Sequence, residues 1–457
     1  MLSGAKHLNS RPTNEAADGV PLRELSPAPG RRRARQRPPV HLTNTPPGAT
    51  VSPNVADAIN VLCLSSAVKG QRLLRALKAR GCRVFLLTEE RWRGEDWPYD
   101  ALDGIHYMHS LANRQHVINA ASYMARGVRF DLIIPLDEYE VQTAGALREH
   151  FVMPGLTSCQ AQPLNDKLAM RVRARAAGLP TPDFTPIFNY DALREWMDRV
   201  PPPWLLKPRQ EAGAMGIKRC DDAEQVWRWL DRLGDDQSRR LLEQFIPSQV
   251  FHVDALVWEG QVIFAVASAY GAPPLAVMHE GGVFVSHTLP AQSEEARALF
   301  ALNAQVIAAL APPDFCGALH AEYLRGLADG EWRFLEIGAR VGGAHIADAI
   351  EFAAGVNLWE AWAHIELARY AGQTYALPPL REDYAGVVIC LARQAQPDLS
   401  AYDAPEVVWR LRKPFHAGLI VVSPDAARVQ ALLDDYAARF ARDFLARAEP
   451  WETGRAV

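Results

Sequence analysis

The sequence offers little sulfur chemistry. Its six cysteines, Cys63, Cys82, Cys159, Cys220, Cys316 and Cys390, are scattered through 457 residues without a C-x-x-C pair. That pattern argues against a disulfide framework or a structural zinc site, and it fits a reducing, cytoplasmic setting. No run of about 18 apolar residues occurs, so no transmembrane helix is expected. The first residues lack an apolar core, so no secretory signal is expected either. Charge of one sign is also scarce. The formal net charge is -4, which creates no global field for nucleic acid or a membrane surface. No G-x-G-x-x-G follows the first strand-like run, so dinucleotide binding and an oxidoreductase are not supported, and no G-x-x-x-x-G-K-[ST] Walker loop is present. No Ser-His-Asp or Cys-His constellation is evident. What the chain does have is an apolar fraction of 49%, enough for large cores, and length for roughly three domains.

Residues 1–57 are rich in Pro, Arg, Ser, Thr and Asn and are expected to be a disordered tail. Its basic run at 31–37 is expected to be solvated. From 58 the pattern changes. Apolar runs at 61–64, 84–87 and 131–135 alternate with a helical pattern at Leu73, Leu74 and Leu77, which predicts a parallel sheet covered on both faces. Asp137 and Glu138 follow the third run, where open α/β sheets place ligand groups. They either touch a ligand or cap and open a helix. The spacing predicts a helix over 165–177, capped by Asn165. Lys167 in its first turn is either solvated or serves a bound anion. A strand at 204–208 carries Lys207 and leads into a glycine-bearing loop at 210–216 before a strand resumes at 217. Such glycines let backbone N–H groups approach phosphate, although most loops of this kind are plain turns. A helix is expected over 222–233 and an open-ended strand over 241–247. A hairpin over 251–267 turns at Glu259-Gly260, and His252 within it is read as structural. Helices are expected at 295–311 and through most of 344–372. The last segment, 384–457, reads as a small α+β element with strands near 387–389 and 418–422 and a helix over 424–446.

The chemistry concentrates in ALHAEYLRGLADGEWRFLEIGARVGGAHI at 318–346. Strand-like stretches at 318–325 and 331–337 flank Asp329-Gly330, which predicts a hairpin. With a three-residue loop, Glu322 falls opposite Glu336. His320 and Glu322 then share a face, as do Phe334 and Glu336. Two carboxylates facing each other across paired strands repel. Among Leu324, Phe334, Leu335 and Ile337 they make sense only with a cation between them. Converging hard oxygen ligands suit Mg²⁺ or Mn²⁺, and with them phosphates. Arg340 and Gly342-Gly343 follow, a cation and then backbone that can approach a ligand closely. The region 269–289, with His279 and Glu280, is a candidate substrate loop.

The order of these parts resembles the ATP-grasp superfamily, and within it the carboxylate–amine ligases that couple amino acids. The resemblance rests on NDKLAMR at 165–171, GLPTP at 178–182, LLKPRQEAGAMGI at 205–217, EQFIPSQVFHVDALV at 243–257, HAEY from His320 and LEIGARVGG up to Gly343. It implies a Rossmann-like α/β domain at 58–155 and a two-lobed ATP-grasp unit at 156–377. The glycine-loop lid would span about 180–245, and the α+β element 378–457 would follow. It implies that Lys167 and Lys207 contact ATP, with Gly213, Met215 and Gly216 in the lid over the phosphates. Glu243, Gln244, Phe245 and Ile246 would form the adenine hinge, and Gln249 would stand where a ribose-binding acid is usual. Glu322 and Glu336 would hold Mg²⁺ or Mn²⁺. Lys207 and Arg340 would act in catalysis, and Arg340, Gly342, Gly343, His279 and Glu280 would meet substrate. Gly338 stands where many members have an Asn ligand. The expected activity is ATP-dependent amide bond formation between a small carboxylate and an amine, with no nucleic-acid or membrane partner and a homodimer left open. Alternatives are a carboxylase or phosphotransferase of the same superfamily, and a nucleotide-binding module without turnover.

Overall fold

The computed structural model describes residues 58–446. The tail expected at 1–57 lies outside the described residues. Four short apolar runs form the first sheet: β1 (Asn60–Ser65), β2 (Arg83–Glu89), β3 (Gly104–Met108) and β4 (Leu132–Pro135), in the order β3-β2-β1-β4 and all parallel. Alternation along β1 explains why both faces are covered. Val61 and Cys63 pack with Leu73, Leu74 and Leu77, whereas Leu62 and Leu64 pack with Val117 and Ala121 on the other side. The chain reverses direction across the sheet between β3 and β4. The topological switch therefore lies between β1 and β4, and residues 136–140 follow the carboxyl end there.

A second, antiparallel sheet contains β5 (Phe184–Pro186), β6 (Trp204–Pro208), β7 (Lys218–Cys220) and β8 (Arg240–Gln244) in the order β5-β8-β6-β7. The helices Tyr190–Arg199 and Ala223–Leu233 cover it through Leu193, Trp196, Val226 and Leu230.

The third sheet has eight strands: β9 (Ser248–Trp258), β10 (Gln261–Tyr270), β11 (Phe284–Thr288), β12 (Gly317–Gly326), β13 (Trp332–Gly338), β14 (Tyr384–Leu391), β15 (Val407–Arg410) and β16 (His416–Ser423). Their order is β13-β12-β9-β10-β11-β14-β16-β15. The C-terminal strands thus extend the central sheet through the β11–β14 pairing. One face is apolar. Val253, Leu319, Ala321 and Tyr323 pack on the helix Glu294–Leu310 through Leu299, Val306 and Ile307. The opposite face changes character along the strands. Leu256 and Ala318 join the core shared with β1 and the helix Leu358–Tyr370, whereas His252, Asp254, His320 and Glu322 continue the same face as buried or half-buried polar groups. Buried polar groups on a sheet face need hydrogen-bond partners, and here they find them in one another.

Two local expectations need correction. The helix after residue 165 runs Lys167–Ala176, and its cap is Asp166, whose carboxylate accepts from Leu168 N and Ala169 N. Asn165 instead donates through Nδ2 to Glu138 O at 2.7 Å. The region 269–289 is not all loop. It holds the helix Pro274–Glu280 and strand β11. Strand β15, which alternates half-buried and exposed residues, gave no clear pattern beforehand.

Candidate active site

The hairpin β12–β13 brings Glu322 opposite Glu336. The route to that register differs from the one expected. At the turn end the pairs are Arg325–Trp332, Leu324–Arg333 and Tyr323–Phe334, and a bulge then shifts the register so that Glu322 meets Glu336. The extra residue is Leu335. It reverses the alternation, so Phe334 pairs with Tyr323 on the apolar face and does not share a face with Glu336. The bulge is what aims both carboxylates at the same side.

Around them lie two coupled ion pairs. Lys167 Nζ is 3.0 Å from Glu336 Oε2, with the lysine side chain 8% and the glutamate 23% exposed. The same ammonium donates to Glu211 O at 2.5 Å. Arg340 Nε donates to Glu138 Oε2 at 2.5 Å and its Nη1 to Val341 O at 3.0 Å. Burial pushes the Glu138 carboxyl up, but Arg340, Lys167 and Lys69 outweigh it and bring the group down to about 2. Burial likewise opposes the charge on Lys167, yet Glu336 and Glu138 hold its pKa above the ordinary value. Asn165, Met170, His320 and Gly338 complete a cleft of about 10 Å³, roughly the space of one water. Glu138 therefore lines the candidate cleft. Asp137 serves as the cap that was its other reading, accepting from Glu138 N at 2.7 Å and pairing with Lys69 at 2.6 Å.

Behind Glu322 runs a chain of polar groups along the sheet face. Ser286 Oγ lies 2.7 Å from His252 Nε2, His252 Nδ1 lies 2.7 Å from Asp254 Oδ2, and Asp254 Oδ1 lies 2.9 Å from His320 Nδ1. His320 Nε2 is 3.6 Å from Glu322 Oε1, which also accepts from Tyr270 OH at 2.8 Å. Burial disfavours the imidazolium of His320, but Asp254 prevails and raises it to about 9. Burial also works against the Glu322 anion, and the bonds from His320 and Tyr270 reverse that and lower its pKa. Gly342 packs against this chain. A Cβ there would sit 2.5 Å from Asp254 Oδ1, so only glycine fits. Gly343 has nothing within 4 Å of its Cβ position. Sequence reasoning treated His252 as structural, did not use Asp254, and placed Tyr270 only among the residues of the candidate substrate loop at 269–289. The signal was present in His252-x-Asp254 and His320-x-Glu322, two polar pairs at strand spacing inside apolar strands.

The remaining expected residues form a separate group on the four-stranded sheet. Glu243 is 1% exposed, and its carboxylate is held by Lys207 Nζ on one oxygen and by Arg171 Nε at 2.7 Å on the other. Burial opposes the Glu243 anion, but Arg171 and Lys207 overcome it and lower its pKa. The hinge is more closed than expected. Gln244 N donates to Asp183 O and Phe245 N to Pro203 O, so the open end begins at Ile246. Gln249 is exposed on β9 opposite Arg325. In the loop after β6, Gly213, Ala214 and Gly216 all have positive φ, and Met215 N bonds back to Ala212 O at 3.2 Å. This loop touches the segment that follows β4, where Ala212 N donates to Tyr139 OH at 3.4 Å. His279 and Glu280 are exposed. His279 Nε2 lies 3.4 Å from Ala214 O, which puts this helix end beside the loop and not in the Arg340 cleft.

No family model matches the chain. It is 28% identical over 248 residues to the L-arginine-specific L-amino acid ligase of Bacillus subtilis, covering 52% of this chain and 58% of that protein. The chain thus spans less than two thirds of that relative's length. Among solved structures it resembles the L-amino acid ligase from Bacillus licheniformis, with 16% identity, a TM-score of 0.66, and coverage of 86% of this chain and 99% of the other. It also resembles the carboxyaminoimidazole ribonucleotide synthase of Aspergillus clavatus complexed with ATP, with 15% identity, a TM-score of 0.65, and coverage of 84% and 99%. Together with the motifs and the three sheets, these likenesses show that the chain has the ATP-grasp fold.

Proposed function

We propose that the chain is an ATP- and Mg²⁺-dependent ligase that joins the carboxylate of an amino acid or related small acid to an amine through an acyl phosphate. The observation that carries this reading is the bulged hairpin that sets Glu322 opposite Glu336 beside Lys167, Arg340 and Glu138. The likeness to an L-amino acid ligase supports the substrate class, and that to a synthase complexed with ATP supports the nucleotide.

The residues fit a divalent cation. Two carboxylates sit opposite each other across the hairpin, hard oxygens are the right donors, and Glu336 is balanced by the charge of Lys167. Glu322 and Glu336 would hold Mg²⁺ or Mn²⁺, which would neutralise phosphate charge. ATP would lie between the two lobes as a substrate. Ile246 and its neighbours would meet the base, Lys207 and Lys167 the phosphates, and the loop with Gly213, Met215 and Gly216 would cover them and exclude water. Arg340, oriented by the ionised Glu138, would grip the acid's carboxylate as that carboxylate attacks the γ-phosphate. The acyl phosphate formed with release of ADP would then be attacked by the amine, and inorganic phosphate would leave. No covalent residue is needed, because positioning and charge stabilisation supply the acceleration.

The test mixes the full chain with Mg-ATP and pairs of amino acids, scoring ADP and the mass of the coupled product. ADP release together with a dipeptide mass bears the reading out. ADP release with bicarbonate but no amine would favour a carboxylase, and tight ATP binding without turnover on any pair would favour a non-catalytic module.

A further inference from the structure

A cavity much larger than the candidate catalytic cleft lies apart from it. It holds about 280 Å³ between the end of β4, the helix Val141–His150, residues 154–156 and the helix Leu358–Tyr370. Its inner wall is core and its mouth reaches solvent, so a small molecule can enter it. Its walls are mainly apolar, with Leu132, Phe315 and Trp362 prominent.

Two charges line it without meeting. Arg148 is 8% exposed and donates to Ile133 O at 2.5 Å and Leu156 O at 3.0 Å, which uses two of its five N–H donors. Among the described residues no carboxylate lies within 4.0 Å of it. Glu366 accepts from Trp362 Nε1 at 3.0 Å through Oε1 and likewise has no ion-pair partner within that distance among the described residues. Burial lowers the pKa of Arg148 and raises that of Glu366, and each charge only partly relieves the other. A buried guanidinium and a half-buried carboxyl that share a cavity but remain unpaired are complementary to a ligand carrying both opposite charges.

We propose that this cavity is a second binding site, for one free zwitterionic α-amino acid with an apolar side chain. Arg148 would take the ligand's carboxylate, Glu366 its ammonium, and the apolar wall its side chain. The volume lies at the lower end of small-molecule pockets, roughly 300 Å³, which suits one amino acid and not a nucleotide. The exposed ion pair of Arg369 with Asp314 at 3.0 Å and the bond of Tyr370 OH to Asp131 at 3.2 Å frame the rim. Ala339 lines the cavity and precedes Arg340, and Pro135 and Val141 bracket the segment bearing Glu138. Occupancy would therefore press on the segments that carry the catalytic ion pair from behind.

The experiment is calorimetry on the full chain without nucleotide or metal, using L-leucine, L-methionine and L-phenylalanine. One site per chain is expected, retained in Arg340→Ala and weakened at least about tenfold in Glu366→Gln, the scale of losing one charge-assisted hydrogen bond. The glutamine keeps an acceptor for Trp362. L-phenylalaninol and 3-phenylpropanoate, each lacking one charge, should bind at least about tenfold more weakly to the unmodified protein, which keeps a result in hand if Glu366→Gln does not fold. Leu132→Phe, which narrows the apolar wall, should also weaken binding. Binding that is lost in Arg340→Ala but unchanged in Glu366→Gln would place the amino acid in the catalytic cleft and overturn the proposal. Absence of binding by all three amino acids at millimolar concentration would overturn it too.

Discussion

Glu336 and Glu322 face one another in register, and each is balanced by a different group, Lys167 for one and Tyr270 with His320 for the other. Glu336→Gln keeps the size of the side chain and removes the charge that would hold the metal. ATP turnover should fall on the order of 10²–10³-fold, the usual cost of one electrostatic group in such a site. Nucleotide affinity, measured by calorimetry, should fall less, because Lys207 and the hinge remain. Turnover at the parent rate would sink the two-carboxylate site. A second prediction concerns Glu140, 3% exposed beside Asp137. Burial, with the negative charge of Asp137, pushes its carboxyl up to about 8. The folded protein keeps a proton that the unfolded chain releases near the ordinary carboxyl value. Stability from the neutral form is therefore full at low pH and is lost as pH rises toward about 8. Glu140→Gln stays neutral throughout. Its stability relative to the parent should increase between pH 5 and 9, by on the order of 1 kcal/mol per pH unit while the native group keeps its proton. Thermal melts across that range measure it, and a constant difference would contradict the assignment.

At the scale of elements, the loop between β6 and β7 has little to hold it. Gly213, Ala214 and Gly216 sit at positive φ, none of residues 210–216 is buried, and the loop meets its surroundings through polar contacts that include Lys167 Nζ to Glu211 O, Ala212 N to Tyr139 OH and Arg240 Nη1 to Gly216 O. Low local contact makes such a segment open easily. Amide exchange over 210–217 should be fast in the free protein and slow at least about tenfold with Mg-ATP. Equal protection in both states would count against a lid. The hairpin β12–β13 marks the edge of what local patterns convey. Turn residues and alternating apolar positions made both strands legible, and Glu322 did fall opposite Glu336. The bulge at Leu335 was not legible, because inserting one residue changes register without changing composition. The helix cap shows the same limit. Asn165 and Asp166 are both good caps by type, and Arg209 pairing with Asp166 at 2.6 Å, together with Glu138 O accepting from Asn165, separates their roles.

At the scale of the molecule, the eight-stranded sheet joins the β12–β13 hairpin, which carries the candidate site, at one edge to the C-terminal strands at the other. Ending the chain at residue 373 would strip β14, β15 and β16 and expose the edge of β11 and the buried Val285. Such an edge invites aggregation, so the shortened protein should be insoluble or melt at least several degrees lower. A soluble product with the parent melting temperature would mean the last strands are independent. The amino-acid sequence alone determined the order of the parts, because strands, turns and helix faces follow periods of two and 3.6 residues that any short window reveals. It also determined the candidate carboxylates, since acids placed in apolar strands stand out wherever they occur. Only the tertiary structure decided their partners. Glu138 and Arg340 are 202 positions apart and Asp254 and His320 are 66 apart, and no local period links them. They meet because parallel β4 ends at the switch point of one sheet while β9, β12 and β13 pair edge to edge in another. Those pairings are selected by the fit of whole faces and cores, a property of the folded chain and not of any window within it.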